Sequence, residues 1–215
     1  MPAGYVNTYE RIAPIYDVLD KGYEVLWKRR LRALTFAGTS GTILDAGAGA
    51  GCNMPFYPAG ARVIAVDASP GMLARARVRA AKLGRDVELH VLDLADTGFP
   101  GASIDHIVAT FVFCVLPEDV MLPALREMTR ILKPDGTIRI LDYTLSSNGA
   151  TRLWMRAMTP WLRFAFAARY TADVQALLPE AGLDVAENRF VLGDSVKLLV
   201  VRPDTALRRS LEAAD

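Results

Sequence analysis

Cysteine and histidine are scarce in this chain, and no long apolar run occurs. Cys52, Cys114, His90 and His106 are too few and too scattered for a CxxC pair or a metal-ligand set, so neither a disulfide framework nor a metal centre is expected. No stretch approaches the ~20 apolar residues that cross a bilayer, and the polar, aromatic start has no apolar h-region. Gly-Lys occurs nowhere, which removes a nucleotide-triphosphate loop closed by Gly-Lys-Ser/Thr. A net charge of +1 lacks the excess of a general nucleic-acid binder, so none is expected as a partner. What remains is one reduced, cytoplasmic domain of 215 residues, 52% hydrophobic, with ample material for a core.

The informative feature is Thr42-Ile-Leu-Asp-Ala-Gly-Ala-Gly-Ala-Gly-Cys-Asn53, an apolar strand running through Asp45 into a turn with Gly47, Gly49 and Gly51. Glycine takes positive φ freely and has no Cβ, so a ligand can lie against bare backbone. Twenty residues past Gly47, Val63-Ile-Ala-Val-Asp67 is a second buried strand ending in an acid, placed to accept hydrogen bonds from ribose hydroxyls. A dinucleotide loop, Gly-x-Gly-x-x-Gly/Ala, needs a third small residue, but Cys52 or Met54 stands there, depending on the starting glycine.

From residue 42 onward, apolar runs alternate with helical segments, the pattern of a parallel sheet with helices on both faces. The expected strands are 42–46, 62–67, 87–92, 104–110, 137–142, 184–189 and 195–202, the last two an antiparallel pair. Ser69-Pro70 reads as an N-cap with Pro at the first helical position of a helix to about Leu83. Further helices are expected over 122–132 and near 172–181, with Lys133-Pro-Asp-Gly136 as a turn between helix and strand. His90 and His106 fall within strand patterns and read as structural.

The two acids and the glycine run resemble the first motifs of the class I S-adenosylmethionine-dependent methyltransferases. That resemblance implies a Rossmann-like, seven-stranded, mostly parallel sheet with helices on both faces and an N-terminal helical lid. It also implies S-adenosylmethionine as cofactor, S-adenosylhomocysteine as product, and no metal. The implied cofactor residues are Asp45, Gly47, Ala48, Gly49, Gly51, Asn53, Asp67, Ala68 and Met72, with Asp93 and Leu94 at the adenine and Thr110 and Phe111 near the methionine moiety. Tyr9-Glu-Arg-Ile-Ala-Pro-Ile-Tyr-Asp17 is similar to the opening of ubiquinone-type C-methyltransferases and of soluble bacterial phosphatidylethanolamine N-methyltransferases. It implies a lid whose Tyr16 closes on the cofactor. In this reading residues 1–41 form the lid and amphipathic helices, 42–202 the core with an insert at 144–171, and 203–215 a polar tail.

Methyl transfer is an in-line displacement at a sulfonium, so orientation, water exclusion and electrostatics are the protein's contributions. Aromatic faces attract ammonium groups, and Tyr9, Tyr16 and Tyr143 are candidates for that role. Asp142 or a tyrosine hydroxyl would relay the proton that an amine must lose. Two segments carry membrane character. Trp27, Leu31 and Leu34 share one helical face with Lys28, Arg29 and Arg32 opposite. Between Tyr143 and Ala172 there is no acid, and Arg152, Arg156 and Arg163 form a stripe opposite Trp154 and Trp161, with Arg169 beyond and Pro160 kinking the path. An insert packed over the substrate pocket would carry the same aromatics. The expected function is methylation of phosphatidylethanolamine at an anionic membrane surface by a peripherally associated enzyme. The alternatives are C-methylation of a polyprenyl quinone and a cofactor-binding module without turnover.

Overall fold

The computed structural model describes residue 10, residues 28–166 and residues 168–204. Tyr9, Tyr16, Trp27 and most of the 203–215 tail lie outside the described residues, as do the side chains at 164 and 166. A first helix, α1 (Arg29–Phe36), precedes β1 (Thr42–Ala46), β2 (Arg62–Asp67), α2 (Pro70–Leu83), β3 (Glu88–Val91) and β4 (Ile104–Thr110). Then follow α3 (Glu118–Ile131), β5 (Leu132–Tyr143), α4 (Gly149–Phe166), β6 (Leu183–Leu192) and β7 (Val196–Pro203).

The strands form one seven-stranded sheet in the order β3-β2-β1-β4-β5-β7-β6. Strands β1 to β5 run parallel, while β7 is antiparallel to both β5 and β6. Strand side chains alternate, so a sheet covered on both sides must be apolar at consecutive positions. Leu44, Ile64, Ile107 and Ile138 face one side, against Leu125 and Met128 of α3. Ile43, Val63 and Val108 face the other, against Leu73, Ala76 and Ala80 of α2 and Phe36 of α1. The chain order reverses between β1 and β4, and the crevice at that switch point, beyond the strands' carboxyl ends, is where open α/β sheets bind ligands.

Helix α2 starts as its sequence predicts. The Ser69 hydroxyl accepts the Met72 N–H at 3.1 Å, Pro70 fills the first turn, and Gly84 ends the helix at φ 59°. Two helices differ from expectation. Helix α3 begins at Glu118 rather than near Leu122, because Glu118 and Asp119 suit the positive end of the helix dipole and Pro123 is accommodated inside it. The segment near 172–181 is not one helix but two 3₁₀ turns, Gln175–Leu177 and Pro179–Ala181, since Pro179 lacks the N–H that a continuous helix would use. Residues Lys133 to Gly136 do not leave the sheet as a free turn. They lie within β5 as an irregularity opposite Asp105, whose carboxylate accepts from Lys133 Nζ at 2.6 Å and from Thr42 N–H at 2.9 Å.

Candidate cofactor cleft and its aromatic mouth

The glycine turn leaves β1 and folds back over β2, the N–H groups of Gly47 and Ala48 both donating to the Val66 carbonyl at 2.8 and 3.0 Å. All three glycines have positive φ, but their surroundings differ. A Cβ on Gly47 would stand 2.5 Å from Val112 Cγ2, and one on Gly51 would stand 2.8 Å from Met54 Cε and 3.4 Å from the Ala76 backbone. Those two glycines allow the loop to pack on its neighbours. At Gly49 the nearest atom is Met72 Cε at 3.4 Å, an ordinary contact with the end of a flexible side chain, so a Cβ there meets no backbone.

Residues 47–50 of the turn line a cleft with Cys52, Asp67, Ala68, Met72 and Leu94, closed by Arg32 and residues 110–112, 115 and 116. Asp67 ends β2 at its edge. One carboxylate oxygen accepts the Gly49 N–H at 2.8 Å and the other the Ser69 N–H at 2.9 Å. Burial pushes this carboxyl above its ordinary range, and those N–H groups pull it back. Asp93 turns one oxygen onto the Ala95 N–H at 2.9 Å, which fixes the bend that carries Leu94 into the cleft.

Asp45 and Asn53 stand behind the cleft wall. Asp45 is fully buried and accepts from the Tyr57 hydroxyl and, at 2.8 Å, from Asn53 Nδ2. Burial raises its carboxyl to about 6, against the lowering effect of Tyr57, Asn53 and Arg32. Arg32 Nη1 donates to Asn53 Oδ1 at 2.9 Å and to Thr110 Oγ1 at 2.7 Å. One network thus ties α1, the glycine turn and the end of β4.

Here the reading of α1 is corrected. Lys28 and Arg32 were expected with Arg29 on an outward basic face toward a membrane, but they are 8% and 6% exposed, whereas Leu34 is 38% exposed. Of that group, Arg29 alone looks outward. Arg32 turns inward because Asn53 and Thr110 give its guanidinium acceptors and Phe111 lies beneath it.

Phe111 sits at φ 57°, a left-handed conformation uncommon for a bulky residue, held by its N–H on the Leu141 carbonyl at 2.7 Å. Its ring meets Tyr143 with centroids 5.2 Å apart, and Tyr143 meets Tyr170 edge-on at 5.1 Å. Lys28 Nζ lies 5.1 Å and Arg32 Cζ 5.3 Å from the Phe111 ring centre. The mouth beyond β4 and β5 therefore pairs three aromatic rings with two buried cations. Tyr170 was not read as part of it from sequence, and Lys28 and Arg32 were read as residues of a membrane-facing helix. Tyr170 is remote in the chain, and α1 shows a misleading charge pattern.

Asp142 lies beneath this mouth rather than on it. It is buried, accepts N–H groups from Cys114 at 3.0 Å and Tyr143 at 2.8 Å, and is raised by burial to about 6. Burial, then Asp142 itself, pushes the Cys114 thiol far up. His106 bonds Thr137 Oγ1 at 2.8 Å and His90 packs edge-on against Phe99, both away from the cleft.

Glu10 caps α2 across the chain: its carboxylate accepts the Gly71 N–H at 2.9 Å and the Ser69 hydroxyl, which holds it below the ordinary carboxylate range. Within the motif at 9–17, this acid is the described residue that reaches the cofactor side of the molecule. An acid ahead of the chain's glycine motif carries no sequence mark of a cap on a helix 60 residues later.

On α4, Arg152, Trp154, Arg156, Trp161 and Arg163 are all exposed, while Met155 is 2% exposed and faces the protein. Arg169 is not part of that outer surface, a second correction. Its N–H donates to the Cys114 carbonyl at 2.8 Å, and its guanidinium lies 3.3 Å from Met121 Sδ and 3.8 Å from Glu118. The chain has turned back into the domain there, and Glu118 supplies an opposing charge.

Residues 43–136 match the family described as "Methyltransferase domain". The chain is 31% identical over 163 residues to a phosphatidylethanolamine N-methyltransferase of Cereibacter sphaeroides, covering 74% of this chain and 78% of that one. It is 28% identical over 184 residues to a demethylmenaquinone methyltransferase of Thermus thermophilus, covering 80% and 82%. A solved structure of a SAM-dependent methyltransferase from Aquifex aeolicus shares the fold at TM-score 0.64 and 22% identity, over 91% of this chain and 97% of that one.

Proposed function

Because this chain belongs to the class I S-adenosylmethionine-dependent methyltransferases, we propose that its acceptor is the amine of phosphatidylethanolamine and of its mono- and dimethyl products. The residues of the cleft fit the cofactor: Asp67 offers ribose hydroxyls a carboxylate, Gly49 leaves room that a Cβ would fill, and Leu94 offers a ring an apolar wall. When bound, S-adenosylmethionine supplies an electrophilic methyl group on a sulfonium.

The observation that carries the reading is the meeting of three aromatic rings and two cations at Phe111. A phosphatidylethanolamine headgroup is a zwitterion. Ring faces of Tyr143 and Tyr170 attract its ammonium and tolerate the bulk of added methyls, at roughly 0.5 to 2 kcal/mol per ring. Lys28 and Arg32 suit the neighbouring phosphate. Asp142, with its oxygens engaged by backbone N–H groups, acts as a positioning residue that fixes the Cys114 and Tyr143 backbone. The proton that the ammonium must lose is then relayed by a tyrosine hydroxyl at the mouth, Tyr143 by position, which accepts it while passing its own proton to solvent water.

The Thermus relative favours a second acceptor, a demethylated quinone, which would use the rings for stacking and need no cations. Incubation with methyl-labelled cofactor and each lipid in detergent micelles separates the two. Label in phosphatidylethanolamine is expected; label only in the quinone overturns the reading. Tyr143→Ala should lose activity. Tyr143→Phe should also lose most of it, with an altered pH profile, because the hydroxyl is gone; a Phe variant that keeps wild-type activity would remove the proton role from Tyr143 and leave it only the ring contact.

A further inference from the structure

We propose that α4 is a docking helix that lies flat on an anionic lipid bilayer and sets the aromatic mouth at its surface, a proposal that rests for its purpose on the lipid-acceptor reading above. On a helical projection, residue 155 faces the protein, so the outer half of α4 runs from the tryptophans through Leu153 to the arginines. Leu153 is 71%, Trp154 58% and Trp161 51% exposed, large side chains that a water-facing helix seldom presents together. Arg152, Arg156 and Arg163 flank them along one edge, and no carboxylate occurs from residue 143 to residue 172. Apolar centre, tryptophan edge and basic edge together match a headgroup boundary, where aromatics sit between hydrocarbon and water and arginine meets anionic phosphates. The charge pattern excludes a neutral apolar partner as the occupant of choice.

The ends of the helix connect this surface to the site. Before it, Asp194 accepts from Ser146 Oγ at 2.8 Å and Ser147 Oγ at 2.7 Å, and Asn148 Oδ1 accepts the Thr151 N–H at 3.1 Å, so the entry is fixed. After it, the Arg169 N–H is held on the Cys114 carbonyl. The two feet carry Tyr143 and Tyr170, which touch each other. A helix held at both feet to the mouth brings that mouth to whatever surface the helix meets.

The test is flotation of the full chain with vesicles of phosphatidylcholine, with and without phosphatidylglycerol, over a range of salt. Binding is expected only with phosphatidylglycerol and should weaken as salt shortens the screening length from ~8 Å. Changing Arg152, Arg156 and Arg163 together to Gln should lower binding on the order of a hundredfold. The pair Trp154→Ala and Trp161→Ala should weaken it even at high salt. Calorimetric affinity for S-adenosylhomocysteine, unchanged in both variants, reports that they fold. Wild-type protein that ignores anionic vesicles, or variants that bind as well as wild type, overturns the docking role and leaves α4 as a pocket cover; so does capture of the same face by an acidic protein with no lipid binding. If the chain floats as expected yet methylates no phosphatidylethanolamine in micelles, the acceptor reading fails and the docking role stands.

Discussion

At the residue scale, the most informative group is Asp67, because its two oxygens already accept backbone N–H groups from either side of the cleft. It therefore orders the glycine turn and the start of α2 while presenting its remaining lone pairs to a ligand. Asp67→Ala should weaken S-adenosylhomocysteine binding by about 1.5 to 3 kcal/mol, the loss expected of a charged acceptor in a partly dry site. Titration calorimetry on the folded variant checks this, and an unchanged affinity would move the ribose site elsewhere. Single-residue chemistry of this kind was legible in the sequence. An acid at the end of a buried strand can face little but the crevice, and Asp67 lines the cleft there. Arg32 was not legible, since its role depends on Asn53 and Thr110, acceptors 21 and 78 residues away.

At the scale of elements, three glycines in one turn have separate tasks. A side chain at Gly51 must enter the space of Met54 and Ala76, while one at Gly49 projects toward the cleft. Both substitutions strain a positive φ by about 1–2 kcal/mol. Gly51→Ala adds overpacking of about 1–3 kcal/mol, so it should lower the unfolding midpoint further while its folded fraction keeps its affinity. Gly49→Ala should do the reverse, with a smaller stability loss and a large loss of cofactor affinity. Parallel thermal melts and calorimetry distinguish them; equal effects in both assays would mean that the turn acts as one rigid unit. The glycine motif marks the turn but cannot rank its members, because the ranking comes from Met54, Ala76 and Val112 packed against it. Helix α1 makes the same point. Its apolar and basic residues follow a helical period, yet the face it buries is chosen by the network beneath. The sheet was more legible, since consecutive apolar positions in the central parallel strands β1, β2 and β4 leave little choice of layer.

At the scale of the whole molecule, two buried carboxyls, Asp45 in β1 and Asp142 in β5, make stability depend on pH in an unusual direction. Asp45 and Asp142 are each raised from 3.8 to about 6 by burial. An acid with a raised folded value binds its proton more tightly in the native state, so its contribution is complete below the unfolded value near 4 and is lost as pH rises through 6. About two units apiece corresponds to about 3 kcal/mol per group between those limits. Glu127 opposes them. Arg130 and then Thr97 hold it at about 2, so its contribution is present above 4.5 and is lost as pH falls through 2. Between pH 7 and about 5 Glu127 does not titrate, Asp67, also raised by burial, adds to the first effect, and His106, lowered from 6.5 by burial, opposes it; with the carboxyls outnumbering the one imidazole, the protein should become more stable as acid is added over that interval. Urea unfolding at pH 7 and pH 5 measures this directly, with the midpoint expected at higher urea at pH 5. Asp142→Asn removes one titrating group but keeps only one of the two oxygens that the Cys114 and Tyr143 N–H groups use, so it should lower stability at both pH values and at the same time reduce the difference between them. A wild-type midpoint that stays level or drops toward pH 5 would show that these two carboxylates are charged at little cost, and that the Tyr57, Asn53 and Arg32 network around Asp45 compensates its burial in full.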